Sequence, residues 1–262
     1  MTHVELKSQT PIAPDILNIP DIPFLKELLR QSDSIVHPSM LQINTRVLLN
    51  ELSKKYGRPL TLAQLPDDEL ARITDGFDMI WFMGIYEPST AARNSALNYI
   101  DEYRGKFPDL DPDDVVASPF AVHSYSPSPD VATSWQEWDE RIVQRLHSMN
   151  KKVVLDFVPN HVAPDHQWVN ENPEYVVTFT PEEAQNYNQF EYELRNGPNG
   201  DQKAIAHGKD GLSFWTDTVQ LNYANPDLQE SQLQQALELS RHCDGVRCDM
   251  AHLMLSNAFE RN

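Results

Sequence analysis

The chain has 262 residues, enough for one large domain with a substantial apolar core, and its 40% hydrophobic and 23% charged residues are typical of a globular protein. Its formal net charge of −18 at pH 7 argues against nucleic acid or an anionic membrane as a partner, because the charges would repel each other. The polar start Met1–Thr10 lacks the apolar segment of a signal peptide, and no apolar run is long enough to span a bilayer, so we expect a cytoplasmic protein.

The first 39 residues differ in composition from the rest of the chain. Residues 1–39 are rich in proline and predict an extended arm with one short amphipathic helix, Phe24–Gln31. Residues 40–262 alternate strand and helix patterns, which predicts an α/β fold with a parallel sheet and right-handed crossovers. The expected strands are Leu41–Leu49, Phe77–Met83, Val153–Phe157 and Gly245–Cys248, and the expected helices are Pro66–Ile73, Ser134–Met149 and Pro226–Arg241.

Two connections in this pattern are much longer than the usual length of about 2–6 residues. One spans residues 84–133 after the second predicted strand, and the other is a long insertion at about 158–225 after the third. Both leave the C-terminal ends of strands, where parallel α/β folds usually build their binding sites. We therefore expect these two segments to contribute substrate contacts.

Of the two cysteines, Cys243 precedes the fourth predicted strand and Cys248 is its last residue. A metal-binding or redox pair would need a second cluster or a closer spacing, and the sequence offers neither. We expect two reduced, buried thiols.

Two apolar runs end in polar residues that can carry chemistry. The run Val154–His161 contains the pattern Asp-x-x-x-Asn-His. In the second run Gly245, Arg247 and Asp249 alternate, so they face one side of a strand. A guanidinium beside a carboxylate keeps it ionised, and a fixed, ionised carboxylate is what a glycosidase nucleophile must be.

Together these motifs resemble two conserved regions of the alpha-amylase family, glycoside hydrolase family 13. Asp156, Asn160 and His161 match the first region, and residues 245–249 match the Gly-x-Arg-x-Asp of the second. The 93 residues from Asp156 to Asp249 suit consecutive strands separated by a long loop. The resemblance implies a TIM (β/α)8 barrel, of which residues 40–262 carry only the first four β/α units, the N-terminal half.

The resemblance also implies roles for individual residues. Asp249 is the expected catalytic nucleophile, and Arg247 holds it ionised and oriented. Asp156 matches the structural carboxylate that pairs with that arginine, and we group it with the substrate-binding residues. His161 matches the histidine that hydrogen-bonds the sugar. Phe120 stands where family members usually carry the tyrosine that stacks on the sugar ring.

Three further positions bear on metal binding and on substrate choice. Asn160 matches a family position that ligates calcium in many members, so calcium is possible although no cofactor is required. Ser124 replaces a usual Asp, and His252–Leu253 replace a usual Lys-His pair after the nucleophile. The change at Ser124 weakens polar recognition of the sugar. The change at His252–Leu253 disfavours long-chain endo-hydrolysis of starch and leaves hydrolysis, transglycosylation and isomerisation of an alpha-glucan or alpha-glucoside open.

The predicted function is retaining, double-displacement cleavage of alpha-glucosidic bonds. The acid/base Glu of the family lies on a fifth strand and its transition-state Asp on a seventh, and neither has a position here, so we expect the chain by itself to be inactive. The alternative is a non-catalytic carbohydrate-binding or interaction module derived from the family. A nucleotide-binding domain is disfavoured, because no Gly-rich loop follows the first strand.

Overall fold

A computed structural model describes residues 37–186, 191–196, 200–210 and 213–254. Contacts within the chain divide it into two units, Met1–Pro38 and Ser39–Asn262, and the fold below is that of the second. The predicted helix Phe24–Gln31 lies outside the described residues, and the domain limits expected from the sequence stay a prediction.

The second unit contains eleven strands and nine helices within the described residues. The strands are β1 (Met40–Asn44), β2 (Met79–Met83), β3 (Tyr86–Pro88), β4 (Val122–Pro127), β5 (Lys152–Phe157), β6 (His161–Val162), β7 (Thr178–Phe179), β8 (Tyr192–Asn196), β9 (Gln202–Lys209), β10 (Phe214–Gln220) and β11 (Gly245–Cys248). The helices are α1 (Thr45–Tyr56), α2 (Asp67–Thr74), α3 (Thr90–Leu97), α4 (Ile100–Arg104), α5 (Trp135–Trp138), α6 (Gln144–Ser148), α7 (Gln167–Glu171), α8 (Pro181–Ala184) and α9 (Pro226–Leu239). A π-helical turn joins α5 to α6, and none of these helices is both long and apolar enough to cross a membrane.

Four parallel strands in the order β1-β2-β5-β11 form the central sheet. Every residue of β5 after Lys152 is buried, as expected of an inner parallel strand covered on both faces. The described strands form an open sheet and no closed barrel, so the α/β class is confirmed while the barrel stays a prediction. The main core packs large apolar side chains of the sheet against α5, the π turn and α6: Ile80, Phe82, Trp138, Ile142, Leu146, Val153 and Leu155.

The prediction of one strand over Leu41–Leu49 is wrong from Thr45 onward. The side chain of Asn44 accepts a hydrogen bond from the Val47 N–H at 3.3 Å, which caps the start of α1. Gly57 ends that helix in a left-handed conformation with φ of 66°. The apolar residues after Asn44 therefore follow a helical rather than a strand period, and Leu49 and Leu52 are buried on one face.

The two long connections fold into antiparallel structure. In the first, β3 pairs with β4. In the second, β6, β10, β9 and β7 lie in that order in one sheet, and β8 also pairs with β9. A separate apolar cluster supports this insertion sheet, built from Val162, Val169, Val176, Ile205, Val219, Leu221 and Leu228.

The expectation of two buried thiols is wrong for Cys248 and is met only in part for Cys243. Both cysteines are free, but Cys243 is half-buried and Cys248 is exposed. Cys248 points away from the face that carries Arg247, as does Val246, which precedes Arg247 on the strand and is 40% exposed.

The loop after β5 is fastened by a buried tyrosine. The hydroxyl of Tyr125 accepts a hydrogen bond from the Val158 N–H at 2.8 Å and donates one to the Val158 carbonyl at 3.3 Å. Both residues are at least 92% buried, so water cannot replace these bonds.

We expect Tyr125→Phe to lower the free energy of unfolding by about 1–3 kcal/mol, because two buried backbone groups lose their partner. Urea unfolding followed by circular dichroism measures the change. Tyr99→Phe is the matched control, since Tyr99 is 46% exposed. Equal stability of the two variants would show that the hydroxyl of Tyr125 does not fasten the loop.

Candidate active site

The central sheet brings the two sequence motifs side by side. Arg247 on β11 is the direct register partner of Asp156 on β5. Its Nη1 donates to Oδ1 of Asp249 at 2.5 Å and lies 3.6 Å from Oδ1 of Asp156. Arg247 and Asp249 alternate along the chain, so both side chains reach the same side of the sheet. One guanidinium thus holds two carboxylates together.

Two aromatic rings hold the guanidinium of Arg247. Its Cζ lies 5.3 Å from the ring centroid of Trp81 on β2 and 5.0 Å from that of Phe120. Cations in this position are attracted to the negative faces of the rings. The position of Arg247 is therefore fixed by its carboxylate partners and by these rings together.

Asp156, the second carboxylate near this arginine, is only 1% exposed. Among the described residues, neither of its carboxylate oxygens accepts a hydrogen bond of good geometry. Burial raises the pKa of Asp156 to about 6, while the Trp81 indole and Arg247 act to lower it and Asp249 adds to the rise. Asp156 is therefore a buried partner of Arg247, and its expected contact with substrate stays a prediction.

Asp249 follows the end of β11 and is fixed through its backbone. Its N–H donates to the carbonyl of Phe157 at 2.7 Å, and the residue is only 7% exposed. The next residue, Met250, adopts a left-handed backbone with φ of 49°, which is strained for a residue with a side chain. Such a sharp turn straight after a strand fixes where the carboxylate of Asp249 points.

His161 sits on β6, where it pairs with Gln220 of β10. Its Nδ1 lies 3.2 Å from the side-chain nitrogen of Asn160, and its ring is 5.1 Å from that of Trp215. Burial lowers the pKa of His161 to about 4, although Asp249 acts in the opposite direction. The imidazole is therefore neutral at pH 7.

A cavity of about 290 Å³ unites the three predicted residues Phe120, His161 and Asp249. Arg247 and Asp156 are not in its wall, although Arg247 contacts two residues that are, Asp249 and Phe120. The full lining is Ser118, Phe120, His161, Trp215, Asp217, Thr218, Asp249 and Met250.

One side of this cavity was not predicted from the sequence; it is formed by Trp215, Asp217 and Thr218 of β10. Gly208 on the neighbouring strand lets this side approach closely, because an added Cβ would lie 2.4 Å from Thr218 Oγ1 and 3.1 Å from His161 Cβ. The available signal for this side was the spacing of Trp215 and Asp217, two residues apart in the insertion. The sequence does not reveal which strand β10 pairs with, so the signal could not be placed at the cavity.

The residues around Asn160 give little support to its expected role as a calcium ligand. Its Oδ1 already accepts a hydrogen bond from Nε2 of Gln220 at 3.2 Å. The described residues also contain no group of three or more His, Cys, Asp or Glu side chains placed to hold a metal. Calcium requires about six to eight oxygen ligands, so these surroundings do not fit it and the role stays a prediction.

Comparison with protein-family models and with curated protein sequences finds no match. Solved structures do share the fold. An alpha-amylase from Lactobacillus plantarum is 21% identical with a TM-score of 0.52, and the match covers 86% of this chain and 42% of that one. The alpha-glucosyl transfer enzyme XgtA is 19% identical with a TM-score of 0.55 (81% and 36% covered), and a family GH13_31 enzyme is 17% identical with a TM-score of 0.53 (82% and 36% covered).

The predicted resemblance to the alpha-amylase family is thereby confirmed as a likeness in fold, which extends over part of the chain of each family member. The chain spans 36–42% of the length of these three structures.

We expect Asp156→Asn to change how stability depends on pH. Because folding raises the pKa of Asp156 to about 6 from about 4, its contribution to stability is greatest at low pH and is lost as pH rises from about 4 to about 6. Relative to the variant, the wild type should lose up to about 3 kcal/mol of unfolding free energy over this window.

Urea unfolding of both proteins at several pH values measures this difference. Comparing the two proteins removes the opposite effect of His161, whose lowered pKa reduces stability as pH falls from about 6.5 to about 4. A difference that is independent of pH would contradict the burial effect assigned to Asp156.

Proposed function

We propose that these residues form the nucleophile side of the active site of a retaining alpha-amylase-family enzyme that acts on alpha-glucosidic bonds. The observation that carries this proposal is the placement of Asp249, which lines the cavity while Arg247, outside the lining, binds one oxygen of its carboxylate. A fixed carboxylate facing a cavity of sugar-ring size is what covalent glycoside cleavage requires.

In this proposal the central sheet is the first half of a (β/α)8 barrel. The parallel order β1-β2-β5-β11 and the match to less than half of each named structure support that assignment. Residues 1–39 would be an N-terminal arm, and residues 40–262 would carry the half-barrel with an insertion at about 158–225. The cytoplasmic location stays a prediction.

The chemistry begins with attack by Asp249 on the anomeric carbon. Arg247 binds Oδ1, which leaves Oδ2 as the attacking oxygen. The glycosidic C–O bond breaks as a general acid protonates the leaving oxygen, and a glycosyl ester forms on Asp249. Water or the hydroxyl of a sugar acceptor then displaces the carboxylate and gives its proton to the deprotonated general acid, and two inversions give net retention. The resemblance assigns the general acid to a Glu at the end of a fifth strand.

His161 and Phe120 would bind the sugar during this attack. A neutral imidazole can donate one hydrogen bond to a hydroxyl without adding a positive charge that would compete with Arg247 for Asp249. The ring of Phe120 lines the cavity while it also contacts Arg247, so its apolar face can meet the C–H groups of a sugar. The nature of the acceptor decides between hydrolysis and transfer.

We expect Asp249→Asn to reduce turnover of an α-linked aryl glucoside by the full-length protein about 10³-fold or more, while ligand binding persists. An activated fluorosugar should label the wild type covalently, and peptide mass spectrometry should locate the label on Asp249. Cys248→Ser is the matched control on the same strand, because Cys248 is exposed and should leave turnover unchanged.

A label on another residue, or near-normal turnover by Asp249→Asn, would contradict the nucleophile assignment. Binding of the glucoside by a wild-type protein that is never labelled would favour the non-catalytic carbohydrate-binding module.

A further inference from the structure

The missed side of the cavity is built by an irregularity in the insertion sheet. On β10, Trp215 pairs with Gly208 and Val219 pairs with His207, so residues 216–218 lie opposite no residue of β9. Neighbouring residues of a regular strand point to opposite faces. Asp217 and Thr218 nevertheless both line the cavity, which a bulge of this kind permits because it turns side chains out of alternation.

Contacts within the sheet hold this bulge in place. The hydroxyl of Thr218 donates to the carbonyl of Trp215 at 3.0 Å, and Nδ1 of His207 lies 3.2 Å from the carbonyl of Thr218. The ring of His161 tilts by 58° against that of Trp215. Trp215 and Asp217 are therefore presented by an ordered strand, which fixes their positions better than a free loop would.

The carboxylate of Asp217 is available for a ligand. In the described part of the chain no Lys or Arg forms an ion pair with it. Burial raises the pKa of Asp217, and its own backbone N–H and the nearby His207 act in the opposite direction. A half-buried carboxylate at a cavity wall retains acceptor sites that a bound hydroxyl group can satisfy.

We propose that Trp215 and Asp217 are the specificity residues of this cavity: Trp215 covers the apolar face of one sugar ring, Asp217 accepts hydrogen bonds from its hydroxyl groups, and the site admits neutral glycosides but rejects sugar phosphates. The cavity volume of about 290 Å³ lies at the small end of ligand cavities, which suits a single ring.

Charge explains the rejection of phosphates. Asp217 and Asp249 are both in the wall of the cavity, whereas Arg247 is not among the lining residues and is already bound to Asp249. An anionic substituent on the sugar would face these carboxylates without a free cation from the lining residues. Hydroxyl groups, in contrast, donate to carboxylates in charge-assisted hydrogen bonds.

The test is a binding measurement with methyl α-D-glucopyranoside and its 6-phosphate, using isothermal titration calorimetry on the purified protein. The wild type should bind the neutral glucoside about tenfold more tightly or better than the phosphate. Asp217→Asn should weaken binding of the neutral glucoside about tenfold and narrow this ratio, because it removes a charged acceptor. Trp215→Ala should weaken binding of both ligands, and Trp215→Phe should restore much of it.

Asp109→Asn is the matched control, since Asp109 is exposed and the variant makes the same charge change away from the cavity. Urea unfolding separates a binding role from a structural one: Asp217→Asn relieves a buried charge and should be at least as stable as the wild type. Neutral-glucoside affinity equal in Asp217→Asn and Asp109→Asn, or tight binding of the phosphate by the wild type, would overturn the proposal.

This inference rests on the function proposed above, and the two can fail separately. The covalent label on Asp249 tests the function, whereas the ratio of the two affinities tests the wall formed by β10. A wild type that binds neither ligand would overturn the inference.

Discussion

The position of Arg247 is the constraint on which the candidate site depends. Its guanidinium binds Asp249, lies 3.6 Å from the buried Asp156, and is held by the rings of Trp81 and Phe120. Removing one partner from a buried charge pair is far more destabilising than its net contribution suggests, because the remaining charge is left unpaired. These five side chains therefore act as one unit, and the orientation of Asp249 is a property of that unit.

The parallel sheet and the antiparallel insertion sheet provide different parts of the site. The parallel sheet provides the charged unit at the C-terminal ends of β5 and β11, where Asp156 and Arg247 are register partners. The insertion sheet provides the opposite wall, and it reaches the cavity because Gly208 permits close packing and because the bulge in β10 redirects its side chains. The parallel strands thus position the carboxylate of Asp249, and the insertion sheet determines the shape of the cavity that a ligand must match.

The sequence revealed the charged unit because its signals are local. Alternation along β11 placed Arg247 and Asp249 on one side, and an apolar run ending at Asp156 identified a neighbouring strand. The cavity wall was not predictable, because the pairing of Trp215 with Gly208 depends on register between separate strands. The error at Thr45 has a local cause: Asn44 is both the last residue of β1 and the cap of α1, so no turn residue separates the strand from the helix.

The central claim is that the cavity between Asp249 and β10 holds the sugar whose anomeric carbon reacts. A crystal structure of the protein with a non-hydrolysable α-glucoside analogue tests it most directly. The account predicts one ring in the cavity against Trp215, with its anomeric carbon about 3–3.5 Å from the carboxylate of Asp249. A sugar bound elsewhere while this cavity stays empty, or a ring whose anomeric carbon points away from Asp249, would contradict it.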